Sequence, residues 1–244
     1  SGFRYGLSLI NNYTTVFEEV PGSDLTDFAS HNTALLNAMA EYEWQGAGTP
    51  LRKGLGRVGK YFDNDLSGKT DPIISECQQN FSVLFTDGYW NGSAPSEVSS
   101  DKDGDGHSVT VADVAKHYYD KDLSSLPDNV PTTAEDPTSK QHMVTFTVAF
   151  GVEGRLADTD GNDLPDTRNG EAITELDSED DDWGDATPNA DIPEKVDDLW
   201  HAAFNSKGTF VSARKPTDVV RGLADALAEI DTRVGSAASV AANS

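Results

Sequence analysis

Residues 81–88 read Phe-Ser-Val-Leu-Phe-Thr-Asp-Gly, a nearly unbroken apolar run that ends in a turn. Apolar continuity of this kind marks a strand buried on both faces within a parallel sheet. In such sheets ligands gather beyond the carboxyl ends of the strands, which points to Thr86-Asp87-Gly88. Outward from this run, Met143 to Phe150 (MVTFTVAF) alternates Val144, Phe146, Val148 and Phe150 with Thr and Ala. Gly208 to Ser212 is a shorter strand, Phe3 to Ile10 (FRYGLSLI) places Phe3, Tyr5, Leu7 and Leu9 on one face, and Thr14 to Val20 reads as an edge strand with its charges outward. Helical spacing fills the gaps. Asp24 to Trp44 carries Phe28, Leu35, Leu36, Met39 and Tyr42, and Leu51 to Phe62 carries Leu51, Leu55, Val58 and Phe62. Val111 to Tyr119, Pro193 to Phe204 and Thr217 to Ile230 follow the same rule. Pro193 and Pro216 stand where helix starts tolerate proline, and Thr217 can cap the last helix. Strands alternating with helices predict an α/β fold with a central, mostly parallel sheet flanked by helices.

The chain has 244 residues, 36% of them hydrophobic, enough for a real core and too many for a disordered chain. Its 18 Lys and Arg against 42 Asp and Glu leave a net charge of −24. Such a field repels phosphate backbones and anionic lipid, so nucleic-acid binding and direct membrane insertion are excluded as expectations, while cations are attracted. High-salt adaptation is an alternative source of such acidity. No apolar run approaches the ~20 residues of a membrane span, no signal peptide opens the sequence, and the chain reads as a piece of something longer. Cys77 stands alone, which removes an internal disulfide and a cysteine-based zinc site.

Two stretches interrupt the rhythm, 89–110 and 152–192, and the second is strongly acidic: 171–198 holds twelve acids against one base, Lys195. Loops this long in a compact domain are functional, metal-organised or disordered. In the first, Asp101-Lys-Asp103-Gly-Asp105-Gly106-His107 sets carboxylates at alternate positions of a tight turn with glycine sixth, an arrangement that converges on one Ca2+. Asp101, Asp103 and Asp105 would ligate with the His107 carbonyl. An EF-hand would end in Glu at the twelfth position, here Ala112; Asp113, one residue later and opening the next helix, would close the shell. In the second, Asp158, Asp160, Asn162, the Leu164 carbonyl and Asp166 repeat the spacing for a further Ca2+, resembling the calcium loops of thrombospondin type-3 repeats. Asp163 replaces the usual glycine there and must take a left-handed conformation or loosen the loop.

The order FRYGLSLI, GTPLRKGLGRV, SVLFTDG, VTFTVAFGV and LADALAEI resembles a von Willebrand factor A domain from its second strand onward. That resemblance implies a Rossmann-type α/β fold over 1–234, here with long acidic insertions. It also implies a divalent-metal site, Mg2+ included, at the sheet's upper edge. Thr49 and Asp87 match two positions of that site, but the Asp-x-Ser-x-Ser that completes it is absent, so the site is partial. More narrowly, TPLRKGLGRVGKYF, NFSVLFTDGYWNG, the loop running into VADVAKHYYD, QHMVTFTVAFGV and DLWHAAFNSKGTFVSA resemble the type IV pilus tip-adhesin family, PilC/PilY. The resemblance implies a non-enzymatic adhesion and assembly module at the pilus tip or outer membrane. Its partners would be pilin, minor pilins and host or abiotic surface ligands. Residues 235–244 resemble the linker toward that family's C-terminal β-propeller.

The residues leave other readings open. One is an acidic spacer without a specific ligand. Another is an aspartate phosphatase built on Asp158-Thr-Asp160-Gly161, a motif that needs a buried strand directly before it. His31, His107, His117, His142 and His201 show no zinc-hydrolase spacing, and no nucleophile elbow or phosphate loop occurs. His201, beside Trp200 in a helical pattern, reads as a packing or surface residue.

Overall fold

The computed structural model describes residues 3–11, 17–21, 28–43, 48–87, 89–174 and 176–241, with 235–241 described by backbone alone. The elements run β1 (Leu7–Ser8), β2 (Phe17–Glu18), α1 (Phe28–Glu41), α2 (Leu51–Phe62), β3 (Asn80–Thr86), α3 (Val111–Asp120), β4 (Met143–Phe150), β5 (Leu156–Ala157), β6 (Thr167–Arg168), β7 (Glu171–Ala172), a 3-10 turn (Asp181–Trp183), α4 (Glu194–Asn205), β8 (Phe210–Ala213) and α5 (Pro216–Ala241).

The centre is a three-stranded parallel sheet in the order β3–β4–β8, so the chain is a mixed α/β protein. Alternation along β4 divides the core. Met143 and Ala149 face one side with Leu84 and the apolar faces of α2, α3 and α4. Val144 and Phe146 face the other, against Ala226 and Ile230 of α5. Helix α2 lies close on α3 because Gly59 has no side chain: a Cβ there would sit 2.3 Å from the Tyr118 ring.

Several expectations need correction. The run 81–85 is not buried on both faces. Phe81, Val83 and Phe85 pair in register with Val144, Phe146 and Val148 and so share the α5 side of the sheet. Among the described residues helix α5 packs chiefly on β4 and β8, and Val83 is 38% and Phe85 43% exposed. Among the described residues β3 has one strand neighbour, β4, and the sheet is open on that side. The first expected strand shrinks to Leu7–Ser8, which pairs antiparallel with Phe17–Glu18 as a separate hairpin, and Tyr5 is exposed. Positions 14–16 of the expected edge strand lie outside the described residues. Helix α1 forms but buries none of its residues, with Leu36 63% exposed. Helix α5 continues to Ala241, into the stretch expected as linker.

The insertions are folded. β5, β6 and β7 make a small antiparallel sheet, and Leu156, Leu176, Trp183 and Trp200 form a core of their own against α4.

Candidate metal centre

The first loop ends at the N-terminus of α3, where backbone amides lack helical partners and favour negative charge. Thr110 caps the helix: its Oγ1 accepts from Asp113 N at 3.1 Å, and Asp113 Oδ2 accepts from Thr110 N at 2.9 Å. A second carboxylate arrives from α4. Asp198 is buried, and it accepts from Val111 N at 3.0 Å, Ala112 N at 2.9 Å and the Trp90 indole at 2.7 Å. Burial pushes the Asp198 carboxyl up to about 7, against the pull of these three donors.

Within the loop, Asp101 accepts from Gly104 N at 2.6 Å and Gly106 N at 2.9 Å, and Asp105 Oδ1 accepts from His107 N at 2.8 Å. Gly106 has φ +88°, the left-handed geometry that the sixth position demands. Asp103 points inward with a fully buried side chain. Its Oδ2 accepts from Asn205 Nδ2 at 2.6 Å, while its Oδ1 has no hydrogen-bond partner. Burial, with the charges of Asp113 and Asp105, pushes the Asp103 carboxyl up to about 8. Burial likewise raises Asp113 to about 6 despite its backbone donors Thr110 and Lys102. A buried oxygen among carboxylates is stable only with a proton or a cation beside it.

The structure thus gathers most of the first predicted set. Asp101, Asp103 and Asp113 offer ligand atoms within 4.8 Å of one another. Asp105 joins Asp103 in a second group with the same spacing, whose third member is His201 of α4. The His107 side chain turns away to Asp181 Oδ1 at 2.6 Å and tethers the first insertion to the second. Burial opposes protonation of that ring, but Asp181, Asp105 and Asp185 outweigh it and raise its affinity for a proton.

In the second loop Asp158, Asp160 and Asp166 also lie within 4.8 Å of one another. Asp163 adopts φ +66°, the left-handed alternative its position required. Asp158 accepts from Gly161 N at 2.6 Å and Asp163 N at 2.9 Å, and Asn162 Oδ1 accepts from Leu164 N at 2.8 Å. This loop is solvent-facing and follows β5, a two-residue strand of the small antiparallel sheet, so the phosphatase reading lacks its buried strand. Thr49 sits before α2, its amide bonded to Asn91 Oδ1 at 3.0 Å, and Asp87 is exposed beyond β3. Asp87 belongs to none of the three acidic or histidine groups among the described residues, and Gly88 lies outside the described chain.

Sequence reading missed Asp198, His201 and Asn205. Their signal was present as a polar stripe at positions 198, 201 and 205, spaced three and four along a helix that also carries Val196, Leu199, Trp200, Ala202 and Ala203.

No family model and no solved structure matches this chain. Curated relatives do match: proteins called type IV pilus biogenesis factor PilY1 from Pseudomonas aeruginosa. That of strain PAK is 31% identical over 229 residues, 76% of this chain and 19% of the relative. Those of strains PAO1 and UCBPP-PA14 are 30% and 29% identical over 251 residues, covering 84% and 88% of this chain and 21% of each relative. The chain therefore spans about a fifth of the length of the curated relatives it matches. It belongs to the PilY family of type IV pilus factors.

Proposed function

We propose that this chain is a von Willebrand factor A-like domain of a type IV pilus biogenesis factor, acting without catalysis in pilus assembly and surface adhesion. Its partners would be pilins or minor pilins and a surface ligand, and its place the pilus or cell surface. Among the described residues no helix is long and apolar enough to cross a membrane. Calcium would order the insertions through the Asp101–Asp113 loop and the Asp158–Asp166 loop. Thr49 and Asp87 would contribute to a partial Mg2+ or Ca2+ adhesion site. The observation that carries the cation reading is Asp103 Oδ1, buried among acids without a partner. The pilus reading is supported by similarity running over most of the chain.

A site of about 0.1 mM affinity in about 1 mM calcium stabilises the native state by roughly 1.4 kcal/mol. Two sites should then raise the melting temperature by about 5–11 °C over a melt in EGTA. Asp103→Ala and Asp160→Ala should each remove part of that shift. Coincident melts would overturn the calcium reading. In-frame removal of this segment from its gene should lower surface piliation and adhesion. Unchanged piliation and adhesion would overturn the pilus role.

A further inference from the structure

We propose that Asp103, Asp105 and His201 form a site for a divalent transition-metal ion of the Zn2+–Mn2+ class, distinct in chemistry from an all-oxygen calcium loop. The inference rests on the cation reading of the first loop and names a different ion for its inner half. The two carboxylates and the imidazole each offer one donor atom, all within 4.8 Å of one another, and all three residues are buried.

The histidine is oriented as a ligand. Its Nε2 lies 3.0 Å from the Ser178 carbonyl and 3.5 Å from Asp103 Oδ2; a carbonyl only accepts, so the ring proton sits on Nε2. Nδ1 is then the nitrogen that presents a lone pair, and it faces Asp105 Oδ2 at 3.8 Å. A metal-bound histidine characteristically donates its other ring N–H to a carbonyl or carboxylate in this way. Trp183 stacks on the ring at 4.4 Å and 2° and fixes its plane.

Outside the group of three, Asn205 donates its amide Nδ2 to Asp103 Oδ2 at 2.6 Å and leaves its own Oδ1 buried and unpartnered. Turned end for end, that amide would set an acceptor where Nδ2 now meets Asp103, supplying one more oxygen to a cation. Ca2+ takes oxygen donors, whereas imidazole with carboxylates suits Zn2+ and Mn2+.

The test uses the whole chain stripped with EDTA. Micromolar Zn2+ or Mn2+ should raise the melting temperature by about 5–10 °C where equal Ca2+ does not. Pulsed EPR of the Mn2+-loaded wild type should show nitrogen modulation from a bound imidazole. His201→Phe, which keeps a ring against Trp183, should abolish both effects. Asp105→Asn should weaken Zn2+ at least tenfold and serves if the histidine variant does not fold. Mn2+ bound without nitrogen modulation, or undiminished Zn2+ stabilisation in folded His201→Phe, would overturn the proposal. Stabilisation by Ca2+ alone would also overturn it while sustaining the calcium reading. A transition-metal response with no calcium response would sustain it and sink calcium, and no response to any ion would sink both.

Discussion

At the scale of single residues, the chemistry turns on where a carboxylate keeps its proton. Asp113, Asp198 and Asp103 hold theirs in the folded chain up to about 6, 7 and 8. Unfolded aspartates lose theirs near 3.9. The folded state therefore binds more protons between these values. The stability the three groups contribute is complete below about pH 4 and is lost as pH rises through 6 to 8. Asp103 faces Asp101, Asp105, Asp113 and His201, while Asp198 feels the charges of Asp113, Arg52 and Lys195. In EDTA the melting temperature should fall from pH 5 to pH 8.5. Saturating metal should flatten the part due to Asp103 and Asp113, because the ion takes the proton's place. A level profile in EDTA would mean these carboxyls ionise as in the unfolded chain. The loop acids could be read from spacing, since Asp101, Asp103 and Asp105 announce themselves two apart. His201 and Asn205 show in the sequence only as polar positions along a helix, because the fold alone sets them facing the loop, Asn205 from 102 positions beyond Asp103.

At the scale of elements, the clearest sequence signals became the best-defined structure. Leu51–Phe62 and Met143–Phe150 begin and end where their apolar spacing begins and ends, since each has one face or both against the core. The run at 81–86 was legible as a strand but not as an edge, because sequence records a strand's apolar faces and not which neighbours cover them. Val83 and Phe85 are accordingly exposed beside an open ladder, an arrangement prone to pairing with another chain. Val83→Lys should reduce self-association in sedimentation with less than about 1 kcal/mol lost in urea unfolding. Equal association by the variant would show that this face takes no part in it. Helix α3 depends on its second cap. Asp198→Ala leaves Val111 N, Ala112 N and the Trp90 indole without their buried acceptor and should cost about 2–4 kcal/mol, checked by urea unfolding. A loss under about 0.5 kcal/mol would mean that these donors find other partners.

At the scale of the molecule, alternation of strands and helices was enough to read an α/β sheet. The folding of the insertions onto α4 was not legible, because acidic, glycine-rich sequence carries no periodicity. What holds them is one buried helix whose polar groups each reach a different segment: Asp197 to Arg155, Asp198 to Trp90 and α3, His201 to Ser178, and Asn205 to Asp103. That design has a kinetic consequence. The bonds to Trp90 and Asp103 span 108 and 102 residues, so they cannot form until nearly the whole chain is present, and closing such distances is slow. Refolding after stopped-flow dilution should bring backbone ellipticity back before Trp90 and Trp183 report their native fluorescence. Simultaneous recovery of the two signals would show that α4 docks with the first structure to form. On the expected course, a nascent chain carries its acidic loops unanchored until synthesis has passed residue 205.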